Sequence, residues 1–177
     1  MRKSVRQWRR LPLHHRHGSR GFTLLEVLVS LLVLSIGLIG VAGLQLLGVS
    51  NSRDAYFRTQ AVMLSYDISD RMRANQDAVD SASYSGNAGT LNSNCRSTTG
   101  CTPAQMAGDD VALWKLALAA LPGGEGVVCI DSTFDDGSGE GSPACDGVGN
   151  QYAVKVWWDD DRNAATDKER LVTVVVP

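Results

Sequence analysis

Hydrophobic and polar positions divide the chain into zones of different period. From Phe22 to Val49, 28 residues carry a single charge, Glu26. An apolar helix of about 20 residues crosses a bilayer core, so this zone is long enough to span one. Beyond it the pattern turns amphipathic. Phe57, Ala61, Leu64, Ile68 and Met72 recur at steps of four, three, four and four, an apolar stripe facing a core. Arg53, Asp54, Arg58, Asp67, Asp70, Arg71 and Arg73 occupy the remaining surface, and Asp54–Arg58 and Asp67–Arg71 are i,i+4 pairs with the acid first. Together the two zones predict one helix from Phe22 to about Asn75, roughly 80 Å long.

Residues 76–101 are small and polar and predict a long surface loop. Thr102-Pro103-Ala104-Gln105 is a capping box with proline at the first helical position. It predicts a helix to about Leu121, with Leu113, Trp114, Ala117 and Leu121 on one face and Pro122-Gly123-Gly124 as the stop. Gly126–Asp131, Tyr152–Trp158 and Leu171–Val176 are rich in Val, Ile, Tyr and Trp and predict strands. They would form a small antiparallel sheet packed on the long helix, an α+β fold. Trp157 and Trp158 are adjacent, so on a strand they point to opposite faces. One is expected in the core and the other nearer solvent as a partner contact, unless the head covers both.

Charge sharpens the division. The chain has 177 residues, 17 basic and 19 acidic, for a formal charge of −2. Seven of the basic side chains and all three histidines lie in the first 20 residues, which hold no acid. The rest therefore carries ten basic against nineteen acidic residues, a formal −9. A basic flank before an apolar run places residues 1–20 in the cytoplasm and everything after about Val49 outside, in the periplasm of a bacterium. The run is too long for an ordinary cleaved secretory segment.

Glu26 is the odd residue in that run. A carboxylate at mid-bilayer costs about 2.5–3.5 kcal/mol, and less near an interface, where this one falls. Snorkelling to water is one account of it. Pairing with a cation is the other, and cleavage before Phe22 would create an α-amino group nearby. Gly37, Gly40 and Gly43 recur at spacing three, with Gly48 beyond; such a face permits close helix contact, although glycine is also common in membrane helices generally.

Gly21-Phe22-Thr23-Leu24-Leu25-Glu26-Val27 resembles the class III signal peptide of type IV pilins and type II secretion pseudopilins. The resemblance implies that prepilin peptidase cleaves after Gly21, that Phe22 becomes the N-methylated first residue, and that Glu26 neutralises an N-terminal amine during assembly. Ser52-Arg53-Asp54-Ala55-Tyr56, Gln60-Ala61 and Tyr66 to Asn75 resemble PilV-type minor pilins, the type IV pilus modification proteins. The implied layout is a type IV pilin-like fold. It comprises a cleaved leader at 1–21, a transmembrane and filament-core helix at 22–49, its amphipathic continuation at 50–75 and a periplasmic head at 76–177. The implied role is a minor pilin that helps prime pilus assembly, serving adhesion and twitching motility. Its partners would be other minor and major pilins, prepilin peptidase, the inner-membrane assembly platform and a tip adhesin. A type II secretion pseudopilin is the alternative within the family. A membrane-anchored periplasmic enzyme or binding domain is the alternative from another class.

The remaining chemistry is sparse. Cys95, Cys101, Cys129 and Cys145 allow three disulfide pairings, between which sequence alone does not choose. Cys95–Cys101 and Cys129–Cys145 are favoured because each closes a glycine-bearing loop, and an exported head with few aromatics benefits from staples. Zinc is disfavoured, since no C-x-x-C occurs and every histidine precedes Gly21. Asp159, Asp161, Asn163 and Asp167 follow the spacing of a calcium loop. However, Ala164 stands where such a loop needs glycine and Arg170 where it needs a bidentate glutamate. A solvated turn between strands is the preferred reading, and no cofactor is expected. Without a histidine after Gly21, Ser-His and Cys-His nucleophiles are excluded. Asp135 and Asp136, in a glycine-serine stretch, are expected to keep that loop solvated. A body at −9 repels phosphate, so nucleic acid is not an expected partner.

Overall fold

A computed structural model of the chain describes residues 21–160 and 167–176. The elements in order are α1 (Leu24–Ala74), α2 (Gln76–Asp80), a 3₁₀ turn (Ser93–Arg96), α3 (Pro103–Leu118), β1 (Glu125–Ile130), β2 (Tyr152–Trp158) and β3 (Glu169–Val175). The chain divides into two compact units between Leu46 and Leu47. Residues 21–49 are exposed throughout. Among the described residues, α1 is the one helix long and apolar enough to cross a membrane.

The second unit is built around a main core, with a smaller cluster on the far face of its sheet. Phe57, Ala61, Ile68 and Met72 of α1 meet Ala107, Val111, Trp114 and Leu118 of α3, and Val128, Tyr152, Val154, Val156, Trp158 and Val175 of the sheet. The α1 stripe is the one the periodicity predicts, with Leu64 only partly covered. Ser65 and Ser69 are also buried, because each hydroxyl donates back to the carbonyl four residues earlier, Ala61 at 2.9 Å and Ser65 at 2.6 Å. A small residue with its hydroxyl so satisfied can face a core at little cost. Of the two predicted i,i+4 pairs, Arg71 and Asp67 meet at 3.1 Å. Asp54 and Arg58 form no ion pair among the described residues.

Two expectations are corrected. Of the predicted face Trp114 and Leu121 are buried, but Leu113 and Ala117 are only partly covered, and the buried face of α3 runs through Ala107, Val111, Trp114 and Leu118. Trp114 sets this rotation: its indole N–H donates to the Leu64 carbonyl at 2.9 Å, so the residues one turn either side of it must also face α1. Residues 76–101 are not simply a surface loop. They contain α2 and the 3₁₀ turn, and they bury Ala78, Val79 and Tyr84. The Tyr84 hydroxyl donates to Asp110 Oδ2 at 2.7 Å, and Arg71 reaches the other oxygen of that carboxylate at 3.3 Å. One buried acid on α3 thus ties α1 and the 76–101 segment together. Burial first, and then that hydrogen bond, push the Tyr84 hydroxyl far above its ordinary range.

The sheet is antiparallel in the order β1-β2-β3, with Val128 opposite Val154 and Val154 opposite Thr173. Every residue of β2 is buried. Alternation puts Tyr152, Val154, Val156 and Trp158 against the helices and Ala153, Lys155 and Trp157 on the far face. That far face is covered by residues 131–149, which fold back over it between β1 and β2. Both tryptophans are therefore enclosed, Trp157 at 1% exposure and Trp158 at 2%, so neither is the solvent-facing contact the sequence suggested.

Candidate functional site

The described residues begin in coil at Gly21. Gly21, Phe22 and Thr23 precede the helix and are exposed, so the Gly21–Phe22 bond lies outside regular structure. Helix α1 starts at Leu24 rather than Phe22 because Thr23 caps it. The Glu26 amide donates to both the Thr23 carbonyl, at 3.0 Å, and the Thr23 hydroxyl, at 3.3 Å. Thr23-Leu24-Leu25-Glu26 is thus a capping-box spacing, a signal legible in the sequence and not used above. Among the described residues the Glu26 carboxylate itself has neither a hydrogen-bond nor an ion-pair partner. It stands in the first turn, where the positive helix terminus favours an anion. Around and beyond it Phe22, Leu24, Leu25, Leu28 and Leu32 are all more than half exposed. No Cβ placed on Gly37, Gly40 or Gly43 would meet a neighbour within 4 Å. This is a surface that can bury apolar area only against lipid or other helices.

In the head the structure joins Cys95 to Cys101 and Cys129 to Cys145, with Cα separations of 4.8 and 6.2 Å. Asp131 lies beside the second pair, but sulfurs joined to each other offer a metal no thiolate. Of the calcium-like spacing, Asp161 and Asn163 lie outside the described residues. The Asp159 amide donates to the Pro122 carbonyl at 2.8 Å. Arg170, at the position a calcium loop gives to glutamate, donates instead to Asp135 Oδ1 at 2.8 Å and to the Gly137 carbonyl at 2.6 Å.

Asp135 and Asp136 are corrected by these contacts. They do more than keep a loop solvated: Asp135 holds Arg170, and Asp136 Oδ1 receives Lys155 Nζ at 2.5 Å. The Lys155 hydrogen bond first, and then the Thr133 hydroxyl, keep Asp136 below the usual carboxylate range. Asp146 is held low in the same way by the Ser132 hydroxyl and then the Val148 amide. At Glu125 burial acts upward, but the bond from Lys168 and the Glu140 amide outweigh it and its value is lowered. Loop 131–149 is therefore pinned to the sheet by one disulfide and by the contacts of Asp135 with Arg170 and Asp136 with Lys155, while Asp146 braces it internally.

Two family models match the chain. The prokaryotic N-terminal methylation motif covers residues 16–42, and type IV pilin Tt1218 covers residues 43–112. They abut, so together they run without a gap from residue 16 to residue 112, through α1 and into α3. The two matches support a type IV pilin. No curated protein matches it, and no solved structure does. The long N-terminal helix with a small three-stranded antiparallel sheet is the α+β architecture of a type IV pilin. As a pilin with a prepilin methylation motif it is a structural protein incorporated into pili. Its partners include other pilins and prepilin peptidase. The motif and the apolar helix fit anchoring in the inner membrane and then entry into the pilus.

What the sequence did not disclose in this pilin is the far face of its sheet. A lone lysine in a strand reads as solvent-facing, yet Lys155 is fully buried. The only hint was the uninterrupted burial-prone run Tyr152-Ala153-Val154, resumed by Val156-Trp157-Trp158.

Proposed function

We propose that this pilin is a minor pilin of the PilV type, which primes pilus assembly together with other minor pilins. Residues 1–21 are removed after Gly21 and Phe22 is N-methylated. Residues 22–49 hold the chain in the inner membrane, with the head periplasmic, until the assembly platform extracts it. In the filament the apolar helices bundle, and Glu26 pairs with the N-terminal amine of Phe22 on its own chain or on a neighbour. A carboxylate and an amine brought out of water need each other, so this pair disfavours any register that leaves Glu26 unmatched.

The observation that carries the assembly reading is the exposed apolar run from Phe22 to Val49, headed by a carboxylate without a partner among the described residues. The PilV subtype is supported by the resemblance of Ser52 to Tyr56, Gln60-Ala61 and Tyr66 to Asn75, in the second half of α1 and the residue after it. Near a filament tip such a subunit would present its head to an adhesin, serving adhesion and twitching.

The test is the intact mass and N-terminal sequence of the protein from host membranes and from sheared pili. N-methylated Phe22 as first residue is the expected outcome. A chain still starting at Met1, in a host with active prepilin peptidase, defeats the processing step. A deletion strain that loses twitching and keeps protein secretion places the protein in the pilus. The reverse places it among type II secretion pseudopilins.

A further inference from the structure

On the far face of the sheet are a lysine and an aspartate for which filament assembly has no use. Lys155 sits midway along the central strand, opposite Val127 of β1 and Val172 of β3. Its side chain and that of Asp131 are both fully buried, and Lys155 Nζ lies 2.5 Å from Asp131 Oδ2. Val127, Trp157 and the Cys129–Cys145 disulfide form an apolar wall on this face. Removing two full charges from water is costly, and a buried ionisable group tends to neutralise instead.

The surroundings of the pair are those an acyl transfer requires. Asp131 Oδ2 stands at ion-pair distance from the amine and accepts no aligned hydrogen bond. Asp131 Oδ1 accepts from the Thr133 amide at 3.2 Å, a donor placed where an oxyanion would develop, while the Thr133 hydroxyl sits nearer Asp136 Oδ2, at 2.9 Å. Asp136, a second carboxylate, lies 2.5 Å from the same Nζ and can take a proton from it. The Pro143 carbonyl, 2.9 Å away, also accepts from Nζ and fixes its direction.

We propose that Lys155 and Asp131 condense to an intramolecular isopeptide bond, with Asp136 as general base. Lys155 first passes a proton to Asp131 Oδ2, leaving a neutral amine and a neutral acid. The Nζ lone pair attacks Cγ, and the C=O electrons move to Oδ1, where the Thr133 amide holds them. Asp136 takes a proton from the resulting ammonium and returns it to Oδ2, which leaves as water. The products are one amide and one water, and Asp136 is regenerated as carboxylate. Preorganisation by the sheet replaces the activating agent that amide formation otherwise needs. The bond would tie loop 131–149 to β2 independently of the disulfide, so that reducing Cys129–Cys145 would not release it.

The test is a tryptic map of the full-length protein purified from its host, then denatured, reduced and alkylated. A lysine in amide linkage is not cut by trypsin. The expected product is an uncut peptide from Leu116 to Arg162, lighter by one water. Cleavage at Lys155, releasing a free peptide from Val156 to Arg162, overturns the proposal. So does loss of water with Lys155 still cleavable, which would mark a cyclised aspartate at Asp136-Gly137 or Asp146-Gly147. In Asp131→Ala, folded or not, cleavage at Lys155 and the full mass must return; an uncut Lys155 in that variant overturns the assignment of the bond. Asp136→Ala retains both reacting groups and is expected to slow the bond's formation by roughly 10²-fold or more. Formation at the wild-type rate would remove Asp136 from the reaction.

Discussion

At the scale of residues, the head is set by a few positions that admit no change of volume. Gly126 on β1 lies under Trp114 and Leu118; a Cβ there would stand 2.5 Å from Trp114 Cη2 and 2.5 Å from Leu118 Cδ1. The indole cannot yield, being enclosed and hydrogen-bonded to α1. Gly126→Ala is therefore expected to destabilise the head by about 1–3 kcal/mol, read as a lower midpoint in urea unfolding followed by tryptophan fluorescence. At the opposite end of the chain the decisive residue is Glu26. Glu26→Ala is expected to leave membrane insertion intact, since it removes a charge from an apolar run, and to lower incorporation into sheared pili. Wild-type levels of the variant in pili would dismiss the electrostatic role.

At the scale of elements, caps and cross-links decide where segments begin and what they cover. Helix α3 starts where Thr102 and Gln105 exchange hydrogen bonds, at 3.3 Å to the Thr102 hydroxyl and 3.0 Å to the Gln105 carbonyl. Thr102→Ala is expected to cost about 1 kcal/mol, checked by thermal unfolding. The two disulfides close loops of different size, with separations of 6 and 16 residues. Chain entropy alone makes the longer worth roughly 3 kcal/mol and the shorter about 2 kcal/mol. Cys129 is also buried on the far face of the sheet, so its loss opens a packed site as well. Replacing Cys129 and Cys145 by alanine should therefore lower the unfolding midpoint more than the same change at Cys95 and Cys101. The opposite order would mean that loop 131–149 is held without its sulfurs.

At the scale of the whole molecule, the head holds its outer layer with carboxylates that must stay ionised. Asp146 and Glu125, neither of which depends on Lys155, have folded values below their ordinary ones. A group whose folded value is depressed stabilises the fold above its unfolded value, and that contribution is lost as pH falls through the folded one. Stability is thus expected to be level from neutral pH to about pH 5 and to fall below about pH 4, where unfolded carboxylates begin to protonate. Near-ultraviolet circular dichroism of the detergent-solubilised chain, which senses Trp157 under that layer, would show the loss. A signal unchanged to pH 2 would mean that the disulfide and the apolar contacts suffice.

The apolar run, the basic flank and the G-F-T-L-L-E motif are local in sequence, and their physics is local too: hydropathy, charge and a cleavage site need no partner within the fold. The α1 stripe and the α3 cap were legible for the same reason, as were the strand cores, each within two residues of its observed limits. Tertiary structure decided what depends on the neighbours of a side chain. The rotation of α3 about Trp114 followed from one hydrogen bond to a carbonyl 50 residues earlier. The burial of Trp157, the ion pairs of Asp135 and Asp136, and the meeting of Lys155 with Asp131 all follow from loop 131–149 folding back over the sheet. A strand's alternation states only that its two faces differ; whether the second face meets water depends on segments distant in sequence. A charge in such a strand is read as exposed until the chain is seen to bring its partners to it.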